Sequence, residues 1–255
     1  MKVQVLVAAM HQTDRSLLDK MNIQSDAIIS NQCDRNEIEG FEWNGHQIRY
    51  LNFAERGVGL NRNNALMRAK GDWCLFADDD MRYCEGYVEI VKKATEDHPD
   101  ADVLVFNLVE AVPTRYVIGK SARVNYLNFL RYGTARVAVR TESVKKNGIY
   151  FNQCFGGGTE HCHGEDNLFL ADCLRKGLKV YAVPAFIAEL TEERESSWNT
   201  GYDEKYLFDQ GVLYRTMSRK FWRFLCLQDA LRHSSEYGMP WTKVYAVMCE
   251  GARTV

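Results

Sequence analysis

The stretch RGVGLNRNNALMRAKGDWCLFADDDM, residues 56–81, decides the fold. It begins with a polar segment that contains glycines. The following residues have the apolar spacing of a short helix that ends before Gly71. Trp73–Ala77 follow as an apolar run without a polar break, which is typical of a strand buried on both faces. Asp78, Asp79 and Asp80 come next. Because ligands of open α/β sheets bind beyond the carboxyl ends of the strands, the sequence predicts a binding site at these carboxylates.

Three adjacent carboxylates repel one another, and their burial is unfavourable unless a cation lies among them. Hard oxygen ligands of this kind suit Mn²⁺ or Mg²⁺, which commonly bridge to substrate phosphates. On the triplet alone, a solvated acidic turn is an equally good interpretation.

The combination of pieces resembles the nucleotide-sugar half of family 2 glycosyltransferases of the A-type fold. Arg62 and Asn63 stand where that family has an Arg-Asn helix start, and 71–73 (GDW) stand at its strand entry. Asp78-x-Asp80 stands at its metal motif, so the resemblance implies that Asp78 and Asp80 hold a divalent cation.

The resemblance also implies a site for the nucleotide sugar, and uridine nucleotides are favoured because the family most often uses them. The turn 31–37 (NQCDRNE) departs from the family's acidic turn after the second strand, with Asp34 as the best match for the base contact and Asn31 as the second. The predicted donor-binding residues are Ala8, Asn31, Asp34, Arg62, Asn63, Asp78 and Asp79.

A second group of polar residues lies in 156–166, GGGTEHCHGED, just before a predicted helix at 167–176. The helix dipole and free amides stabilise carboxylates at such a position. The resemblance implies that Asp166 is the general base for the acceptor hydroxyl and that Glu165 supports it. Read alone, this acidic pair is more simply a helix cap. The histidines and cysteine of the loop fit no common zinc spacing, so we expect the loop to position substrate.

Many relatives carry a histidine after the strand at 180–183 that completes the metal shell, and this sequence has none there. Glu189 and Glu192 are the substitutes that the sequence offers, with water as the other possibility. Ser196–Trp198 weakly match a short signature that some relatives place near the donor phosphates.

The rest of the chain predicts an α/β fold, a Rossmann-like mixed sheet flanked by helices with a helical C-terminal tail. Apolar runs at 3–10, 26–30 and 47–53 alternate with helical segments, which implies parallel pairing. We expect a catalytic domain at 1–203 and a helical extension at 204–255.

Composition narrows the function classes. A net charge of −2 argues against a nucleic-acid partner, and eight scattered cysteines suggest a reducing, cytoplasmic location. The resemblance implies an inverting, metal-dependent glycosyltransferase that uses a nucleotide-diphosphate sugar and a glycan or lipid-linked hydroxyl acceptor, as in bacterial surface-glycan assembly. Two alternatives stay open: a nucleotidyltransferase, although 8–14 (AAMHQTD) lack its glycine- and lysine-rich loop, and a non-catalytic nucleotide-sugar or glycan-binding module.

The segment 214–233 is basic and aromatic. Drawn as one helix, it places Met217, Phe221, Phe224 and Leu225 on one side. Such a helix is able to rest on an anionic membrane at the inner face, although packing against the catalytic domain is the commoner use of an apolar side.

Overall fold

The computed structural model describes residues 1–112, 114–191 and 201–255. Its centre is a mixed sheet whose strands are β1 (Val3–Met10), β2 (Asp26–Gln32), β3 (Glu37–Trp43), β4 (His46–Phe53), β5 (Trp73–Asp78), β6 (Met81–Tyr83), β7 (Val103–Val109), β8 (Ala122–Arg123), β9 (Val137–Arg140) and β10 (Val180–Leu190). The spatial order is β3-β4-β2-β1-β5-β9-β7-β10-β6, and β8 pairs with β10.

The half of the sheet that carries the acidic triplet is parallel. β1 pairs in parallel with β2 and β5, and β2 pairs in parallel with β4. Successive side chains of a strand point to opposite faces, so Leu6 and Phe76 join one core while Val7 and Leu75 join the other. The prediction that β5 is buried on both faces is therefore confirmed.

Helices cover both faces of the sheet, which confirms the predicted fold class. They are α1 (Leu17–Lys20), α2 (Val58–Arg68), α3 (Tyr87–Asp97), α4 (Thr141–Lys146), α5 (Glu165–Arg175), α6 (Glu204–Met217), α7 (Trp222–His233) and α8 (Trp241–Ala252). Leu18 of α1 and Val91 of α3 pack in one core, and Leu66 of α2 and Leu168 of α5 pack in the other.

The structure adds the strands β3, β6 and β8, which the sequence patterns did not indicate, and it has several antiparallel pairings. β3 pairs antiparallel with β4 through a tight turn at Asn44 and Gly45, which both have positive φ angles of 48° and 80°. β9 pairs antiparallel with β5 and β7, and β6 pairs antiparallel with β10. The sheet is therefore mixed, as predicted.

The tail helices pack on the same core as α2 and α5. Leu213 of α6, Trp222 of α7 and Met248 of α8 all belong to it. α6 and α8 approach so closely that a Cβ built on Gly211 would lie 1.8 Å from the Met248 carbonyl oxygen. The division into a domain at 1–203 and an extension at 204–255 stays a prediction.

The predicted single helix over 214–233 is wrong. α6 ends at Met217, Ser218 is extended with φ −152° and ψ 106°, and α7 begins at Trp222. Because the break rotates the following residues, Met217 is buried and Leu225 is partly buried against the core, whereas Phe221 and Phe224 are exposed. Within the described part of the chain, no helix is long and apolar enough to cross a membrane.

Candidate active site

The floor of the site is a buried arginine that holds three carboxylates. Arg62 lies in the second turn of α2 and is only 5% exposed. Its Nη2 donates to Asp78 Oδ1 at 2.8 Å, and its Nη1 donates to Glu165 Oε1 and Asp166 Oδ1, each at 2.9 Å. The end of β5 and the N-terminus of α5 are therefore joined through one guanidinium.

The electrostatics of this cluster follow from burial and from the excess of acids. Burial lowers the pKa of the Arg62 guanidinium, but Asp78, Asp166 and Glu165 raise it to a net value above its ordinary range. Burial and the neighbouring Asp166 raise the pKa of Glu165 to about 7, against the opposing effect of Arg62. The single positive charge of Arg62 thus neutralises the three carboxylates only in part. Below neutral pH, protonation of Glu165 reduces the repulsion among them.

Asp166 is held on both of its oxygens. Oδ1 accepts from Arg62 and from the Thr134 hydroxyl, and Oδ2 accepts from the Thr134 backbone N–H at 2.9 Å. Gly133 precedes this contact, and a Cβ there would lie 3.2 Å from Asp166 Oδ2. A carboxylate offers about four acceptor positions, so Oδ2 keeps a second one, and Asp166 lines the cleft in which a base would act.

The glycine loop rests against the acids from the other side. Gly156 has a φ of 95°, and a Cβ there would meet Glu165 Oε2 and Val58 Cγ1 at 2.5 Å each. A side chain at this position would be strained and would displace Glu165. Position 156 therefore requires glycine, because the backbone there passes directly beside the Glu165 carboxylate.

The two other members of the triplet differ in their surroundings. Asp79 Oδ2 accepts from the Met10 backbone N–H and from Gln12 Nε2, each at 3.2 Å. Asp80 is partly buried, and that burial, followed by the charges of Asp78 and Asp79, raises its pKa. The concentration of negative charge at Asp80 is what a bound cation would relieve.

The donor set fits a hard divalent cation in part. Asp80 and the second oxygen of Asp78 are carboxylate oxygens of the kind that Mg²⁺ and Mn²⁺ prefer. Among the described residues, no cluster of three or more Asp, Glu, His or Cys side chains is arranged to hold a metal. An ion here would depend on water and on a bound diphosphate for its remaining ligands.

The predicted nucleotide contacts separate into two groups. Ala8, Arg62, Asp78 and Asp79 line the same cleft. Asn31, Asp34 and Asn63 are not among the residues that line it.

Each of those three side chains has another partner. Asn31 is fully buried and exchanges hydrogen bonds with the Gln12 backbone, its Oδ1 accepting and its Nδ2 donating at 2.9 Å. Asn63 bonds both backbone polar groups of Phe151 with its amide, at 2.9 and 2.8 Å. The Asp34 side chain is 89% exposed and is paired with Arg56 at 2.8 Å. The structure therefore gives Asn31 and Asn63 roles in fixing the backbone.

Of the two candidates for a third metal ligand, only Glu189 belongs to the described residues. Glu189 lies 3.9 Å from Arg82 and does not line the cleft. Glu192 and Ser196–Trp198 lie outside the described residues.

The loop that contains His161 and His163 is hydrogen-bonded to α6 of the C-terminal tail. His161 Nδ1 lies 2.9 Å from Asp209 Oδ1, and His163 Nε2 lies 2.6 Å from Gln210 Oε1, both on α6. His163 also stacks on Tyr206 with ring centroids 4.2 Å apart. Cys162, His163 and Tyr206 line the cleft, so the tail helps to shape the site.

The cleft has a volume of about 840 Å³ and opens to solvent. Pockets of about 300–1,000 Å³ take ligands of drug-like or cofactor size. Acids lie along the floor, and a segment containing Arg115, Leu130, Arg131 and Tyr132 lines another part.

Sequence reasoning missed three residues at this site. Arg131 lines the cleft, and Gln12 and Thr134 hydrogen-bond Asp79 and Asp166. All three belong to segments that are polar and lack periodicity, so no local signal marks them. The two hydrogen bonds join residues that are 67 and 32 positions apart in the chain.

Comparison with known proteins gives one family match and several structural neighbours. Residues 24–156 match the profile of glycosyl transferase family 2. Curated protein sequences give no significant match.

The structural neighbours include crystal structures of S. aureus TarS. The complex of TarS 1–349 with UDP-GlcNAc aligns with a TM-score of 0.67 and 17% identity, covering 92% of this chain and 73% of that chain. TarS 1–349 aligns with a TM-score of 0.65 and 16% identity, covering 99% and 81%. A longer TarS structure aligns at 0.64 and 18% identity, with 92% of this chain and 44% of that one covered. At these identities, the likeness concerns the fold.

Proposed function

Because the chain belongs to glycosyl transferase family 2, we propose that it transfers a sugar from a nucleoside diphosphate donor to a hydroxyl group of an acceptor. The observation that carries this proposal is the buried Arg62, which joins Asp78 of the triplet to Asp166 at the N-terminus of α5. A donor-side acid and a base are thereby held in one cleft at a fixed separation.

Within this proposal, Asp166 accepts the proton of the acceptor hydroxyl on Oδ2. Arg62 and Thr134 fix the orientation of this carboxylate, and Asp166 lines the cleft. Direct attack of that hydroxyl on the anomeric carbon of the donor is a single displacement, so the product has inverted configuration. Glu165 takes no proton from the acceptor and instead supports Arg62.

We propose that Asp78 and Asp80 hold Mn²⁺ or Mg²⁺ together with the donor diphosphate. The ion would supply Lewis-acid stabilisation of the charge that develops on the leaving diphosphate. The raised pKa of Asp80 supports this assignment, because it comes from burial and from the charges of Asp78 and Asp79, and a cation would offset both effects.

The favoured donor is a UDP-sugar. Family membership supports a nucleotide sugar, and a TarS structure of the same fold contains UDP-GlcNAc. Thermal-shift measurements with UDP, GDP, CDP and dTDP, each with and without manganese, test the choice. We expect UDP with manganese to raise the unfolding midpoint most, because a ligand of the folded state stabilises it by mass action. A larger shift with GDP would overturn the base assignment, and no shift with any nucleotide would overturn the proposed function.

We further propose a cytoplasmic enzyme whose tail contacts an anionic membrane at the inner face, where a lipid-linked acceptor would lie. Phe221, Phe224 and Leu231 are 66%, 62% and 57% exposed at spacings of three and seven residues. We call this set the outer face of α7. Arg219, Lys220, Arg223 and Arg232 are exposed beside it. Exposed aromatic residues bordered by basic ones are complementary to an anionic lipid surface.

A non-catalytic binding module of the same fold is the second candidate. It would bind UDP without releasing sugar from a labelled UDP-sugar, whereas the proposed enzyme releases UDP when an acceptor is present. A nucleotidyltransferase would instead release pyrophosphate from a nucleoside triphosphate.

A further inference from the structure

Arg131 is a cation of the cleft that has no acidic partner among the described residues. It ends a short turn of 3-10 helix (Phe129–Arg131), is exposed and lines the cleft. Its guanidinium lies 5.0 Å from the ring centroid of Tyr116. In the described ranges, no carboxylate lies within ion-pair distance of it. By contrast, Arg115 in the same cleft is paired with Glu110.

A second arginine fixes the backbone of this turn from below. Arg136 is 2% exposed, and it donates from Nη2 to the Arg131 carbonyl at 2.8 Å and from Nη1 to the Tyr116 carbonyl at 2.9 Å. Its Nε is buried without a hydrogen-bond partner. No described carboxylate is paired with Arg136, and burial followed by the charge of Arg115 lowers its pKa to about 10. The turn that presents Arg131 is therefore well anchored and lies over an uncompensated positive charge.

The position of Arg131 relative to the base gives it a role. Thr134, three residues further along, donates its backbone N–H to Asp166 Oδ2, and a Cβ added to Gly133 would lie 3.2 Å from the same oxygen. An acceptor whose hydroxyl reaches Asp166 Oδ2 must pass beside this segment. A substituent of the same acceptor then lies next to the Arg131 side chain. Arg115, in contrast, lies on the side of the triplet, since its charge opposes in part the rise in the pKa of Asp80.

We propose that the acceptor carries an anionic group, a phosphate or a carboxylate, and that Arg131 binds this group beside the hydroxyl that Asp166 deprotonates. The proposal rests on the proposed glycosyltransferase function and adds the chemical class of the acceptor. A guanidinium presents a planar pair of N–H donors that matches both kinds of oxyanion. An unpaired arginine at the mouth of an acidic site also offsets the repulsion that Asp166 and Glu165 would exert on such an acceptor.

The test compares three oligosaccharides of equal length that bear a phosphomonoester, a hexuronate or no charge. Their binding to the UDP- and manganese-loaded protein is measured by calorimetry, and their KM is measured from UDP release with UDP-GlcNAc as donor. The variants are Arg131→Gln, Arg131→Lys and the control Arg123→Gln, whose exposed side chain stacks on Tyr181 and does not line the cleft.

We expect a charged oligosaccharide to bind best, and the better of the two charged ones identifies the oxyanion. Arg131→Gln should weaken its binding on the order of 10- to 100-fold, the usual effect of losing a charged hydrogen bond. Arg131→Lys should recover part of that loss, Arg123→Gln should change nothing, and UDP affinity should stay constant.

The proposal is overturned if the charged oligosaccharides bind no better than the neutral one, or if Arg131→Gln leaves their binding unchanged. A loss of UDP affinity with unchanged acceptor binding would instead assign Arg131 to the donor diphosphate. Failure of the wild-type protein to bind UDP at all would contradict the proposed function itself, and it would be seen before any acceptor is added.

Discussion

Arg62 and Asp166 lie 104 residues apart in the chain, yet Nη1 of the arginine is 2.9 Å from Oδ1 of the aspartate. The same guanidinium reaches Asp78 at 2.8 Å. Because Arg62 is buried, this geometry is set by the packing of α2 on β1 and β2 rather than by solvent. A substitution of Asp78 or Asp166 is therefore expected to alter the position and the electrostatic environment of the other carboxylate.

Arg62→Met should destabilise the fold strongly. Removing one partner of a buried ion pair typically costs about 3–5 kcal/mol, since the remaining charges are left uncompensated. Urea unfolding of the variant measures the loss. Arg68→Met, on the same helix and partly exposed, serves as the control and should have a small effect. The additional substitution Glu165→Gln should recover part of the stability, and a double variant no more stable than Arg62→Met would argue against charge imbalance as the cause.

Glu165 should make stability depend on pH. Its folded pKa, about 7, is above its ordinary 4.5, so between these values the folded state binds more protons than the unfolded state. The stabilisation is fully present below about pH 4.5 and is lost as pH rises through 7. The free energy of unfolding of Glu165→Gln should thus rise relative to wild type across this window, by up to about 3 kcal/mol. A constant difference between the two proteins from pH 4.5 to 7.5 would contradict this prediction.

Asp80→Ala should abolish the manganese-dependent part of UDP binding, because a site with one carboxylate fewer holds the cation poorly. Calorimetry with UDP and manganese measures the effect, and the exposed Asp100→Ala is the matched control. Asp78→Ala should weaken binding in the same direction, but it should also destabilise the fold, since Asp78 is a partner of Arg62. Unchanged affinity in the Asp80 variant would show that the metal assignment is wrong.

The outer face of α7 should bind anionic vesicles. We expect flotation with phosphatidylglycerol vesicles at low salt, and a much weaker association with phosphatidylcholine vesicles, since each basic side chain near an anionic surface contributes about 1 kcal/mol. Phe221→Ser combined with Phe224→Ser should remove the binding. Leu127→Ser, at a side chain that is 93% exposed elsewhere on the molecule, should retain it. Equal flotation of wild type and double variant would exclude this face as the contact.

The sequence was informative where chemistry and local pattern coincide. The apolar run before Asp78 and the acids before the helix at 165 mark the ends of β5 and α5, and both elements are present. β3 was missed because its apolar residues are few and half exposed, although Asn44-Gly45 is a strong hairpin signal.

Contacts between segments that are distant in the chain could not be predicted from local sequence patterns. Nothing near Arg62 indicates that its partners are Glu165 and Asp166 rather than a nucleotide. Asn63 has the residue type of a ligand-binding side chain, but the amide is used on the Phe151 backbone. The break between α6 and α7 likewise contains no glycine or proline from which it could be predicted.

The most direct test of the central claim is sugar transfer by an Asp166→Asn variant. The assay follows labelled sugar passing from a UDP-sugar to the acceptor oligosaccharides described above, in the presence of manganese, with UDP affinity measured in parallel. Asp172→Asn on the same helix is the control. Because the amide cannot accept a proton, we expect transfer to fall on the order of 10²–10⁴-fold, with UDP affinity and the unfolding midpoint close to those of wild type. Transfer at a near wild-type rate by Asp166→Asn would contradict the account.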